Sequence, residues 1–290
     1  MLPISKVAAG VVLYHPDTNV ISNIGTYYNS VDYLIVIDNS EKDNGYIKNE
    51  IQKLFPGVIY RSLNRNAGIA AALNIACSIA TENNCNWILT MDQDSSFKPA
   101  ELKQMIDGIP VVQRLFENIG IISPFHVLYE DHEVKAGEQY TVKNIVMTSG
   151  NLLNLSAYAV TGPFEEKLFM DFVDYEYCLR LKRNKFKIIQ DNFVHLKHSL
   201  GDFKIKKIFS QKIGVSNHNF VRRYYMTRNS LYVGFKYFRY DKKFFFNMLK
   251  NIFFWDPLII IRYEKDKLAK LKAVCKGIFH FVFNKFGRMK

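Results

Sequence analysis

The stretch Trp87-Ile88-Leu89-Thr90-Met91, followed at once by Asp92-Gln93-Asp94-Ser95, decides how this chain is read. Five uncharged residues run into two carboxylates spaced two apart. A short apolar run bounded by turn formers reads as a buried strand. Working outward, Val7–Tyr14 is a second such run, closed by His15-Pro16-Asp17. Tyr33–Asp38 is a third, closed by Asn39-Ser40, and Val58–Leu63 a fourth. Helical patterns lie between and after them, at Asn19–Asn29, Gly68–Ala80 and Lys98–Leu115, before another strand at Ile119–Pro124. Strands alternating with helices at this spacing predict an α/β chain with a mostly parallel central sheet and flanking helices. Ligands of such sheets bind outside the carboxyl ends of the strands. The residues to inspect are therefore Tyr14 and His15, Asp38 and Asn39, and Asp92, Gln93 and Asp94.

Asp92 and Asp94 have the chemistry of a hard-cation site. Mg2+ and Mn2+ prefer oxygen ligands, and Mg2+ usually keeps water and substrate phosphate in its shell. The same carboxylates also suit a helix cap. The segment Arg65-Asn66-Ala67-Gly68, with Asn74 further on, opens a helix rich in alanine. Amide groups at a helix start favour anions, and Arg65 adds a positive charge. No GxGxxG follows the first strand and no GxxxxGK[ST] occurs anywhere, which argues against a dinucleotide dehydrogenase and a P-loop NTPase.

Charge divides the chain of 290 residues, whose formal net charge is +12. Residues 1–198 hold 18 Lys and Arg against 22 Asp and Glu, a net of −4, and residues 199–290 hold 21 against 5, a net of +16. Half of the 42 aromatic residues lie in that last third. A basic, aromatic tail points to an anionic partner, nucleic acid or a membrane surface. Four scattered cysteines with no CxxC pair exclude a disulfide scaffold and a cysteine-type zinc site, and fit a reducing cytosol. The N-terminus lacks the form of a secretory signal. Phe244–Ile261 is interrupted by Asn247, Lys250, Asn251, Asp256 and Pro257, so it is expected to be interfacial or buried rather than to span a bilayer.

The second half carries Phe169-Met170-Asp171-Phe172-Val173-Asp174-Tyr175-Glu176-Tyr177-Cys178-Leu179-Arg180, with a helix expected from Asp174 to Arg183. Asp174 at that helix start is either a cap or a general base, and Asp171 is its rival. His195 and His198 follow a strand at Lys187–Gln190.

The order Tyr14-His15, Asp38-Asn39-Ser40, Asn66-x-Gly68-(x5)-Asn74 and Asp92-x-Asp94 resembles the inverting glycosyltransferases of family 2, which have the GT-A fold. The resemblance covers about residues 5–235 and implies roles for individual positions. Asp38 would contact the nucleotide base, with Tyr14, His15, Asn39, Arg65, Asn66, Gly68, Asn74 and Gln93 also along the nucleotide. Asp92 would meet ribose or metal, and Asp94 would ligate Mg2+ or Mn2+, with His198 favoured over His195 to complete the metal site. Asp174 falls where the family holds its base, with Val173 where a glutamate often stands. Together with Phe169-x-Asp171 and Arg223-Tyr224-Tyr225-x-x-Arg228-Asn229, the motifs resemble the bacterial rhamnosyltransferase branch. That branch implies dTDP-L-rhamnose as donor and a saccharide acceptor, often lipid-linked. Arg223 and Arg228 are then expected to hold phosphates.

These readings predict a GT-A domain over residues 1–235 and a helical, basic-aromatic extension over 236–290. Lys265–Lys290 is expected to be a basic amphipathic helix lying on an anionic membrane, on the cytoplasmic face, or serving as an oligomer contact. Nucleic acid is disfavoured as partner, since no RRM, KH, zinc-finger or helix-turn-helix signature is present. A nucleotidyltransferase is disfavoured because Tyr14-His15-Pro16-Asp17 stands where its Gly-rich basic loop belongs.

Overall fold

The computed structural model describes residues 5–98, 100–127, 137–198, 204–208 and 211–289. The chain forms two compact units, one of residues 1–166 and 177–199, the other of residues 167–176 and 200–290. The expected boundary at 235/236 falls inside a helix of the second unit, Phe220–Tyr237.

The first unit is built on one sheet. Its strands are β1 (Val7–Leu13), β2 (Tyr33–Asp38), β3 (Ile59–Ser62), β4 (Trp87–Asp92), β5 (Ser95–Phe97), β6 (Ile119–Val127), β7 (Tyr140–Lys143), β8 (Asn151–Asn154) and β9 (Lys187–His198). The spatial order is β3-β2-β1-β4-β8-β6-β9-β5, with β7 beside β9. β1 is buried along all seven residues, as a strand covered on both faces must be. The four strands read from the first apolar runs pair in parallel, β3 on β2, β2 on β1 and β1 on β4. Beyond β4 the sheet is mixed. β8 runs antiparallel to both β4 and β6, and β5 and β7 run antiparallel to β9. The expected parallel sheet is thus the β3-β2-β1-β4 half of a larger mixed one.

Helices α1 (Asn19–Gly25), α2 (Gly45–Leu54), α3 (Ile69–Glu82), α4 (Glu101–Asp107), α5 (Ile109–Leu115) and α6 (Leu155–Thr161) complete this unit, with a short 3-10 turn at Tyr28–Ser30. The helix expected over Lys98–Leu115 is two helices, with Gly108 between them and Pro110 in the first turn of the second. Proline has no N–H to give and suits that position. One core cluster joins Val11, Leu13, Val36, Ile51, Trp87 and Leu89, the strand residues among them alternating along β1, β2 and β4 and so sharing one face of the sheet. Each such side chain stabilises by about 1.5–3 kcal/mol.

Helix α7 (Val173–Arg183) contributes to both units, changing membership at Tyr177. The second unit adds the hairpin β10 (Lys204–Ile208) and β11 (Gln211–Val215), then α8 (Phe220–Tyr237), α9 (Lys242–Lys250), α10 (Asp256–Tyr263) and α11 (Lys267–Val282). α8 packs along α11. α9 and α10 are joined by a π-helical turn at Asn251–Trp255, so Lys242–Tyr263 is one helical run of 22 residues. Asn247, Lys250, Asn251, Asp256 and Pro257 all lie within this helical run. The wider turn precedes Pro257, which falls in the first turn of α10 where no N–H is needed. By length and composition alone the run is long and apolar enough to cross a bilayer.

Candidate active site

The carboxyl ends of β1, β2 and β4 meet at one edge of the first unit's sheet, as the parallel register requires. Leu13 lies opposite Asp38, and Val12 opposite Asp92. Side chains stitch these ends together. The Gln93 amide bridges the Tyr14 backbone, accepting from its N–H at 2.8 Å and donating to its carbonyl at 3.2 Å. The His15 N–H donates to Ser40 Oγ at 2.8 Å. His15 Nε2 lies 3.2 Å from Glu41, and its ring is tilted against Tyr14.

Asp38 is 1% exposed. Its carboxylate accepts from Ser40 N at 3.0 Å, from Asn44 Nδ2 at 2.9 Å and from the Tyr60 hydroxyl at 2.9 Å. Burial, and then Asp38 itself, push the Tyr60 hydroxyl well above the ordinary phenol range, so it stays a neutral donor. Three of the roughly four acceptor positions of a carboxylate are thus filled by protein. Asp38 builds the floor of this site and offers little open surface. Asn39 donates to Asn66 Oδ1 at 3.2 Å and accepts from Ala67 N at 2.8 Å, while Gly68 N donates to Asn66 at 3.0 Å. Two of the amides expected to receive an anion are therefore bonded to side chains. Gly68 sits at φ +88° and starts α3, a conformation that favours glycine. Arg65 is exposed beside it.

Asn74 has a different role from the expected one. Its Nδ2 donates to Phe164 O at 3.0 Å and Glu166 Oε1 at 2.9 Å, and its Oδ1 accepts from Tyr158 Oη at 2.9 Å and Phe164 N at 2.8 Å. An amide has two donors and two lone pairs, and all four are committed within the protein. Asn74 is a structural clamp rather than a nucleotide contact.

Asp92 ends β4 half-buried, and Asp94 is exposed in the turn after it. The turn is braced from beneath. Asp92 N donates to Ser149 Oγ at 3.0 Å, Ser149 Oγ donates to Ser95 Oγ at 2.8 Å, and His126 Nε2 lies 2.7 Å from Ser149 O. Gly150 beside this brace has φ +82°, and a Cβ there would stand 2.7 Å from Leu196 and 2.9 Å from Pro124. Asp94 also lines a cleft of about 470 Å3 with Asp17, Asn23, Gln93, Ser96 and Lys197. Ser149, His126 and Lys197 carry no signal in the sequence. They arrive just before β8, on β6 and on β9, from 34 to 105 positions downstream of Asp92.

The two histidines separate. The His195 N–H donates to Glu101 Oε2 at 2.7 Å, and Nδ1 lies 3.4 Å from Glu101 Oε1. His198 pairs in register with Ser95, the residue after Asp94. The backbone thus carries His198, and not His195, to the carboxylate turn. The side chain of His198 and the residues Ser199-Leu200-Gly201-Asp202 lie outside the described ones. Among the described residues no group of three or more His, Cys, Asp or Glu side chains is gathered. Mg2+ bound through one or two carboxylates and substrate phosphates needs no such group, and Asp92 with Asp94 fits that donor set.

In the second unit, Asp174 lies in the first turn of α7, partly exposed, and its Oδ1 accepts from Tyr175 N at 2.8 Å. The loop before it is strained, with Phe169 at φ +67°, Asp171 at +56° and Phe172 at +65°. Asp171, the rival for the base, pairs with Arg222 Nε at 3.0 Å. Burial raises its carboxyl above the ordinary range, against the pull of Arg222 and Arg223.

Arg223 and Arg228, expected to hold phosphates, are both buried and committed to partners inside the second unit. Arg223 is 5% exposed and pairs with Asp256 at 3.0 Å and with the buried Glu264. Arg228 is 0% exposed and donates to Leu168 O at 3.1 Å, Gly287 O at 2.9 Å and the Tyr224 hydroxyl at 3.1 Å. Its guanidinium lies against the rings of Tyr224, Tyr225 and Phe286. A buried charge must be paired, and both are paired inside the unit.

Three comparisons bear on this arrangement. The family model described as glycosyl transferase family 2 matches residues 18–111, which include β2, β3, β4 and the Asp92–Asp94 turn. The dTDP-rhamnosyl transferase RfbF of Shigella flexneri is 26% identical over 247 residues, 78% of this chain and 79% of that protein. Among solved structures, TarS 1-349 of S. aureus superposes with a TM-score of 0.61 at 10% identity, covering 96% of this chain and 81% of that one. The complex of TarS with UDP-GlcNAc gives 0.60 at 11% identity, covering 94% and 80%. GalNAc-T7 with UDP, GalNAc and Mn2+ gives 0.63 at 9% identity, covering 98% and 57%. Residues 18–111 thus match the family 2 glycosyl transferase model, and the mixed sheet that holds them has the GT-A fold of these solved structures.

Proposed function

We propose that this protein is a metal-dependent inverting glycosyltransferase that moves L-rhamnose from dTDP-L-rhamnose onto a hydroxyl of a saccharide acceptor, lipid-linked, in bacterial polysaccharide synthesis. The observation that carries the reading is the edge where β1, β2 and β4 bring Asp38, Asn39, Asp92 and Asp94 together, all four within the stretch that matches the family 2 model. The sugar rests on the likeness to RfbF, described as a dTDP-rhamnosyl transferase.

In this reading Asn39 and Asn66 shape the nucleotide loop, and Asp38 with Tyr60 fixes its floor. Asp92 and Asp94, with His198, would hold Mg2+ or Mn2+, which when bound offsets the charge of the diphosphate. Asp174 takes the proton of the acceptor hydroxyl as its oxygen attacks the anomeric carbon. The new carbon–oxygen bond forms as the bond to the diphosphate breaks, and dTDP leaves with the electron pair. One displacement inverts the carbon and needs no covalent intermediate. Calorimetry of dTDP-L-rhamnose, UDP-GlcNAc and other dTDP- and UDP-sugars, each with Mn2+ or Mg2+, tests the donor. Metal-dependent binding of dTDP-L-rhamnose above the others is expected. Preference for UDP-GlcNAc, held by TarS, would replace the donor and leave the reaction type.

The acceptor side brings a membrane into the reading. Phe246, Phe253, Phe254 and Ile261 are 51–62% exposed on the Lys242–Tyr263 run, and the residues from 199 onward carry the net +16. Basic charge beside bulky apolar groups suits an anionic bilayer surface. Flotation with phosphatidylglycerol vesicles should recover the protein, and Phe253→Ser with Phe254→Ser should leave it in the aqueous fraction. Equal recovery of both would remove the membrane from the proposal.

A further inference from the structure

The loop that delivers Asp174 is held in a shape it would not adopt alone. Phe169, Asp171 and Phe172 all occupy the left-handed region, at a cost of roughly 1–2 kcal/mol each for residues with a Cβ. Strain of this kind persists only where the surroundings over-determine it. Here the surroundings are two consecutive side chains of α8. Asn229, 0% exposed, donates its Nδ2 to the carbonyls of Leu168 at 2.8 Å, Met170 at 2.6 Å and Asp171 at 3.0 Å. Arg228 Nη2 donates to Leu168 O at 3.1 Å and reaches Lys167 O at 3.4 Å. Arg228 Nε donates to Asn229 Oδ1 at 2.9 Å, which fixes the orientation of the amide. One turn beyond Val173 the helix is pinned again. The buried Glu176 accepts from Lys236 Nζ at 2.8 Å and from the Tyr237 hydroxyl at 2.9 Å, both on α8.

We propose that Asn229, oriented by Arg228, is a positioning residue that locks the Leu168–Phe172 loop so that Asp174 enters α7 at one fixed place. Neither side chain needs to touch a substrate. The carbonyls of three loop residues converge on one amide, so losing it releases all three together. The proposal rests on the reading of Asp174 as the base. It accounts for a buried arginine and asparagine in a stretch that would otherwise read as a basic surface.

The test uses the full chain and three measurements. Hydrogen exchange of the amides of residues 169–176 reports the loop. Release of dTDP from dTDP-L-rhamnose, with water as acceptor, reports the chemistry, and calorimetry reports donor affinity. In Asn229→Leu, exchange in the loop should speed at least about tenfold. The rate constant should fall about 10²-fold, the effect of misplacing a reacting group by about 1 Å, with donor affinity and KM unchanged. Asn229→Ser keeps one donor and should fall between, which also covers the case in which Asn229→Leu does not fold. Adding Asp174→Asn to Asn229→Ser should leave the rate at that of Asp174→Asn alone. Full release by Asp174→Asn overturns the base, whatever the Asn229 variants do. With Asp174→Asn inactive, unchanged exchange or unchanged release in the Asn229 variants overturns the clamp.

Discussion

The two carboxylate sites are placed by different physics. Asp92 and Asp94 stand at the end of a strand buried along nearly its whole length, inside a ladder of regular backbone bonds. Asp174 stands after an irregular loop that side chains hold one carbonyl at a time. A sheet edge is set by many equivalent bonds, so no single neighbour of Asp92 fixes where it lies. The loop before Asp174 depends on a few groups, and one amide can carry most of the constraint.

The largest effects should come from the carboxylates themselves. Asp94→Ala and Asp174→Asn are each expected to lower sugar transfer by at least about 10²–10⁴-fold, the range for a general acid or base. They should differ in calorimetry. Asp94→Ala weakens metal-dependent donor binding, whereas Asp174→Asn leaves it intact. Equal binding by both variants would erase the division of labour between the two sites.

Next in size is Gly150→Ala, which sharpens the contrast from the rigid side. Its Cβ would meet Leu196 at 2.7 Å with the backbone at φ +82°. Overpacking typically costs about 1–3 kcal/mol, and the left-handed conformation adds roughly 1–2 kcal/mol. The expected outcome is a lower melting temperature. Because the sheet shares the load, donor affinity of the folded fraction should fall less than stability does.

The smallest effect concerns the second unit's charges. Burial, then Arg222 and Arg223, push the His218 imidazole from its ordinary 6.5 down to about 4, with Lys270 adding to them and Glu264 opposing. Between these values the unfolded chain binds a proton that the folded chain does not. This contribution to stability is present above pH 6.5 and is lost as pH falls towards 4. His218→Gln should flatten that acid-side decline, measured as urea midpoints at pH 7 and pH 4.5. An unchanged decline would show that other groups govern it.

The same contrast explains what could be read from the sequence. β1, β2 and β4 announce themselves because burial on both faces demands unbroken apolar runs, and strand ends follow from strands. β5, β7 and β8 are three or four residues long and have no room for a period. The partners of Asn74, Arg223 and Arg228 were illegible for a different reason. They lie 84–92, 33–41 and up to 61 positions away. Nothing beside them in sequence distinguishes a buried pair from an exposed contact. The resemblance drew attention to Arg228-Asn229, and the structure places both among the carbonyls of the loop before α7.

The clamp also reaches the last described residues. Arg228 binds Gly287 O as well as Leu168 O, Gly287 N donates to Lys167 O at 2.9 Å, and Met289 N donates to the Tyr225 hydroxyl at 2.6 Å. Residues 287–289 and the loop before Asp174 are thus moored to the same bollard. Any tether, tag or surface attachment placed after Lys290 pulls on Gly287, which is bonded to Lys167, the residue just before the locked loop, whereas the same load at the other end of the chain does not. For single-molecule or immobilised work, the far end is the one to hold.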